Sequence, residues 1–178
     1  MAEDKRRSTE VEKHTIAVIV DNEAGVLARV ISQFSSRGYN IESLTVSEVD
    51  KEKAISRITI ITEGSPAIIE QIMSLLERLI PVHQVRDLTD EAPHIERGLT
   101  LVKVVTEDEK KRNDAQKLAD RFNARTIDST PESFIFELSD TPETLDKFIG
   151  LMKPLGVKEV CRTGVTAMVR GDHYIEVN

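Results

Sequence analysis

Apolar residues alternate from His14 to Val20, with Ile16, Val18 and Val20 on one face, which predicts a strand. The spacing then changes. Leu27, Val30, Ile31 and Phe34 form one helical stripe that Gly38 can stop. Ile41 to Val49 returns to alternation, with Leu44 and Val46 facing one way, and Lys51-Glu-Lys53 connects it to a β-branched strand from Ala54 to Ile61. Ser65 and Pro66 fit the cap and first position of a second helix. Its stripe is Ile68, Ile69, Ile72, Leu75, Leu76 and Leu79. Pro81 ends it, and Val82 to Leu88 makes a fourth strand.

The order β-α-β-β-α-β predicts a ferredoxin-like α+β unit, a four-stranded antiparallel sheet with two helices on one face. Asp90 to Arg97 is polar, contains Pro93 and reads as a linker. The rhythm then repeats more weakly. Leu99 to Val105 is a strand, Glu107 to Asn113 a charged loop or helix start, and Ala115, Leu118, Ala119 and Phe122 a short stripe. Arg125 to Ser129 and Phe134 to Leu138 pair around Thr130-Pro131. Thr141-Pro142 opens a helix bearing Leu145, Phe148, Ile149 and Met152, Gly156 breaks it, and Val157 to Thr163 is the last strand. The tail from Gly164 reads as an added strand or arm.

In the first unit the sheet face away from the helices is not fully polar. Ala17 and Ile19 oppose Ile16 and Val18, and Ile61 opposes Ile58 and Ile60. Such a face favours a partner, so an oligomer is expected.

Composition narrows the function. With 39% hydrophobic and 31% charged residues the chain suits a globular protein. A net charge of -7 disfavours nonspecific nucleic-acid binding, which needs concentrated Lys and Arg. The single cysteine, Cys161, excludes a disulfide framework and reads as a buried structural thiol. Met1 to Lys13 is charged without an apolar core, unlike a signal peptide, and no apolar run approaches a membrane span. The cytoplasm is the expected compartment.

No phosphate-binding glycine loop and no nucleophile elbow occurs. His14, His83, His94 and His173 lack ligand spacing and read as surface or edge residues. The informative segment is Asn22-Glu-Ala-Gly-Val-Leu27, between a strand and a helix. A glycine there lets the backbone turn tightly, and first-turn amides can hold a small carboxylate. The alternative is a helix-entry glycine with no ligand. Asn22 can cap the helix or meet a ligand's polar group. Asn40, after Arg37-Gly38-Tyr39, is either a turn residue or faces the first loop of a neighbouring protomer.

Asp21 to Val30 and the block Phe34-Ser-Ser-Arg-Gly-Tyr-Asn-Ile-Glu-Ser-Leu-Thr-Val46 resemble the small regulatory subunits of acetolactate synthase (acetohydroxyacid synthase). His94-Ile-Glu-Arg97, Leu101-Val-Lys103, Lys111-Arg-Asn113 and Arg170-Gly-Asp172 add to the match. The resemblance spans roughly residues 14 to 174. It implies an N-terminal extension over 1–13, an amino-acid-binding ACT domain over 14–90, a linker over 91–98, and over 99–178 a ferredoxin-like domain that engages and activates the catalytic subunit.

Further implications concern partners and site. The large subunit of the family carries thiamine diphosphate, Mg2+ and FAD; this chain is expected to carry no cofactor or metal and no catalytic residue. It is expected to dimerise through its ACT domains and to confer inhibition by valine in branched-chain amino acid biosynthesis, with leucine and isoleucine as alternative effectors. Carried over, Asn22, Ala24, Gly25, Val26 and Leu27 line one wall of a valine site, and Asn40 and Ile41 the other, across a dimer seam. Many ACT domains have proline where Ala24 stands, a departure from the general pattern. The competing reading is a stand-alone ACT-type sensor that regulates a different partner.

Overall fold

The computed structural model describes residues 10–176. Residues up to Ile95, together with those from Val165 onward, form one compact unit, and Glu96–Gly164 form a second.

The first unit runs β1 (Glu12–Asp21), α1 (Val26–Ser35), β2 (Ser43–Asp50), β3 (Ile55–Gly64), α2 (Pro66–Glu77), β4 (Val82–Asp87) and a short α3 (Leu88–Glu91). The sheet order is β2-β3-β1-β4 with antiparallel neighbours. Register follows the apolar alternation. Ile16 pairs with Ile60 and Val18 with Ile58, while Leu44 and Val46 meet the same two residues from β2. Ile16, Val18, Ile58, Ile60 and Leu44 pack with Val30, Phe34, Ile72 and Leu76 from the helices. Each fully buried side chain of this size contributes about 1.5–3 kcal/mol.

Two boundaries differ from the sequence reading. β1 begins at Glu12, inside the expected extension, because its ladder with β3 continues to Glu12 opposite Gly64. The remainder of that extension, residues 1–9, lies outside the described residues. The expected linker over 91–98 is not a loop: Asp87 caps α3 by accepting from the Thr89 amide, and the next strand starts at His94.

The second unit follows the same order. It comprises β5 (His94–Val105, from Glu96 onward), α4 (Glu109–Arg121), β6 (Arg125–Ser129), β7 (Ser133–Asp140), α5 (Pro142–Met152) and β8 (Val157–Arg162). The sheet order is β6-β7-β5-β8. Val102, Val104, Phe136, Ala115, Ala119, Phe148 and Met152 make its core. The charged run after Thr106 resolves into a helix start, since the Asp108 carboxylate accepts from the Lys110 and Lys111 amides at 2.8 and 3.2 Å.

Cys161 is exposed, contrary to the buried thiol expected from its neighbours. It pairs with Leu101 on edge strand β8, one residue out of phase with core residue Val102. Its side chain therefore lies on the sheet face that α4 and α5 do not cover.

Gly156 has φ of 111°, and a Cβ there would sit 2.6 Å from the Val105 carbonyl oxygen. The Val105 amide donates to Gly156 O at 2.9 Å, so neither strand can retreat freely. Gly156→Ala is expected to destabilise the chain by about 2–3 kcal/mol, measured by chemical denaturation.

The last strand, β9 (Thr166–Val169), groups with the first unit rather than with the residues that precede it. Ala167 and Val169 cluster with Ala17 and Leu88, with Ala92 and Ile175 alongside. The segment is thus an arm of the first unit, and the expected second-domain span over 99–178 ends instead at Gly164. Ala17, expected to face a partner molecule, is covered by the chain's own tail.

Candidate ligand-binding site

β1 ends at Asp21 and α1 starts at Val26, and the turn between them is held from both sides. The Asn22 amide donates to Ala54 O at 2.6 Å, and its side-chain amide donates to Glu48 Oε1 at 2.8 Å. Ala54 itself has φ of 52°. Asn22 therefore does not cap α1. Gly25 occupies the cap position with φ of 87°, and no side chain caps the helix. The Val26 amide reaches Glu23 O at 3.3 Å. Nothing lies within 4 Å of where a Gly25 Cβ would stand. An exposed, side-chain-free helix start with space beside it suits a small anion.

The predicted residues divide by burial. Asn22, Ala24 and Gly25 are exposed and Leu27 half-buried. The Val26 side chain is in the core, so only its backbone is available to a ligand. Asn40 is exposed, and Ile41 is half-buried against the core. Asn40 is fixed through its carbonyl, which accepts from the Thr62 hydroxyl at 2.6 Å. Tyr39 packs against the core and donates its hydroxyl to Gln71 Oε1 at 2.9 Å.

The chain brings Asn22 to Leu27 together, and Asn40 with Ile41, but does not join the two groups. They stand at opposite ends of α1, whose ten residues span about 15 Å. A pocket using both needs a second copy. β2 offers an edge for one. It is terminal in the sheet, Ser43-Leu-Thr-Val-Ser47 carries no charge or proline, and Val46 and Val49 are 43% and 45% exposed.

Electrostatics elsewhere in this unit correct the histidine reading. His14 is buried, with Nδ1 2.7 Å from Asp87 Oδ2, while Asp87 Oδ1 accepts from the Thr89 amide at 3.0 Å. Asp90 brings a third carboxylate or imidazole atom within 4.8 Å of these two. No local pattern marks this pair, since 73 residues separate its members. Asp87→Asn keeps the cap acceptor but weakens the bond to His14. It is expected to cost about 1.5–3 kcal/mol by chemical denaturation.

Arg57 was also missed. It is half-buried in the β-branched part of β3, with its guanidinium donating to Ala167 O at 2.8 Å. Burial lowers its pKa. A cavity of about 590 Å3 opens between β4 and the tail, lined by His83, Gln84, Arg86, Asp172, His173 and Tyr174 among others. It contains none of the predicted site residues. Among the described residues no helix is long and apolar enough to cross a membrane.

Comparison with known proteins points to one family. Residues 16–84 match the AHAS small subunit-like ACT domain, and residues 97–171 match the small subunit of acetolactate synthase. The chain is 42% identical over 164 residues to the acetolactate synthase small subunit of Aquifex aeolicus, covering 92% of this chain and 84% of that one. It is 39% identical over 165 residues to the isozyme 3 small subunit of Escherichia coli, covering 90% and 97%. The crystal structure of the acetolactate synthase small subunit from Thermotoga maritima superposes with a TM-score of 0.81 at 33% identity, covering 91% of this chain and 99% of that one.

Proposed function

Because this chain belongs to the acetolactate synthase small-subunit family, a family of non-catalytic regulatory subunits, we propose that it binds valine and transmits that binding to a large catalytic subunit. Feedback control of branched-chain amino acid synthesis in the cytoplasm follows from that role. The large subunit supplies the thiamine diphosphate, Mg2+ and FAD chemistry; this chain supplies control.

The observation that carries the site assignment is the uncapped α1 start at Gly25, separated by the length of α1 from Asn40. A two-fold axis pairing β2 edges would run the two α1 helices in opposite directions. The Gly25 end of one copy then meets the Asn40 end of the other. The valine carboxylate sits against the first-turn amides of one copy, and Asn40 supplies a polar group from the other. Ile41 and Leu27, both half-buried, offer apolar surface for the branched side chain.

Such a site exists only in the dimer. Sedimentation at micromolar concentration is expected to show dimers, and calorimetry to show valine bound at two equivalent sites of the dimer seam. A clean monomer that bound valine with unchanged affinity would sink the shared site. Tighter binding of leucine or isoleucine would reassign the effector.

A further inference from the structure

We propose that the returning segment Val165–Val169, anchored by Arg57 and Ser43, is the mechanical link between the effector site and the rest of the chain, with Arg57 as its positioning residue. The inference rests on the effector reading above.

Three hydrogen bonds carry it. The Val165 amide donates to Ser43 Oγ at 2.8 Å, Arg57 donates to Ala167 O at 2.8 Å, and the Arg170 amide donates to Pro93 O at 2.9 Å. The first two anchors are placed in relation to both walls of the candidate site. Ser43 lies two residues beyond Ile41, at the start of β2. Arg57 lies three residues beyond Ala54, whose carbonyl holds the Asn22 amide at 2.6 Å. Any shift of the Asn22–Gly25 turn or of the Asn40–Ile41 segment is therefore passed to strands that grip the arm. The third bond ties the arm to Pro93, where the chain leaves for the second unit; Val165 is where it comes back. Of the two covalent connections of Glu96–Gly164, one thus ends on Val165 and the other lies two residues beyond Pro93.

Ala167 and Val169 pack with Ala17 and Leu88, which sets the position of the arm but not its register. Register is set by the backbone pairing of β9 with β5, to which the Arg57 and Ser43 side chains add their grip. The Arg57 guanidinium has a buried Nε without a partner among the described residues, so its one strong bond to Ala167 O is not backed by a second. A carboxylate partner would have locked it.

The test uses the full chain, alone and reconstituted with its catalytic subunit. Arg57→Met keeps length and apolar contact but removes the donor; Ser43→Ala removes the other anchor with less risk to folding. In both, valine affinity by calorimetry and activation without valine are expected to stay near wild type. The factor by which saturating valine suppresses turnover is expected to fall by about fivefold or more, the lower end of ordinary coupling. A purely structural role would not alter the second readout: in the wild type, hydrogen exchange of the Val165 and Arg170 amides is expected to change when valine is added. Full inhibition in both variants, or wild-type exchange indifferent to valine, would overturn the link while leaving the effector site intact. A wild-type chain that binds no valine would overturn the site and the link together.

Discussion

Gly25→Asp is expected to lower valine affinity at least about a hundredfold while the mutant still activates the catalytic subunit. Three effects act in the same direction. The left-handed conformation at φ 87° costs a non-glycine residue roughly 1–2 kcal/mol, and the backbone can escape that cost only by moving the first-turn amides. Each charge-assisted bond lost to the effector carboxylate costs roughly 1.5–3 kcal/mol more. The new carboxylate also repels the effector's own. Space is not the difficulty, since nothing within 4 Å would clash with a Cβ. Gly25→Ala therefore separates the causes: it keeps the strain and omits the charge. Calorimetry on both folded mutants is the direct measurement, and unchanged affinity in Gly25→Asp would remove this turn from the pocket.

A fragment of residues 10–95 alone is expected to be far less stable than the same fragment joined through a flexible linker to residues 165–176. Val165, Ala167 and Val169 are all buried, and Ala17 and Leu88 lose their cover when the arm is absent. Burial of two valines and an alanine is worth about 3–6 kcal/mol. That is a large share of the stability of a domain this size. Thermal melts followed by circular dichroism should show a low, broad transition or aggregation for the short fragment and a cooperative one for the joined fragment. Equal melting would show that the arm is an ornament, and the coupling assigned to it would lose its footing.

The elements were legible because each strand and helix carries its own period. β1 and β3 alternate through β-branched residues, and α1 and α2 show apolar stripes bounded by Gly38, Pro66 and Pro81. The turn at Gly25 was legible for a different reason: its left-handed backbone admits few residues other than glycine. The sequence misled where the answer depended on tertiary coverage. Ala17 and Ile19 read as a face awaiting another molecule, but a strand more than a hundred residues later in the chain closes over Ala17. No local pattern can report which segment will cover a face. The same holds for His14, whose burial depends on Asp87, and for Cys161, whose exposure follows from edge position and phase. Asn22 shows a subtler case. Its residue type fits a helix cap, but Glu48 and Ala54 claim its side chain and backbone. Arg57 was readable in principle as a charge flanked by Ile55 and Ile58 inside β3, a position that asks what acceptor meets it.

This chain is expected to control a catalytic partner through a seam formed by two copies. Reconstitution with a large acetolactate synthase subunit, with pyruvate turnover followed across a valine titration, tests it most directly. The expected result is that adding the wild-type chain raises turnover and makes it valine-sensitive, and that Gly25→Asp raises turnover equally but leaves it insensitive. Turnover that the chain does not raise, or that valine does not suppress, would contradict it.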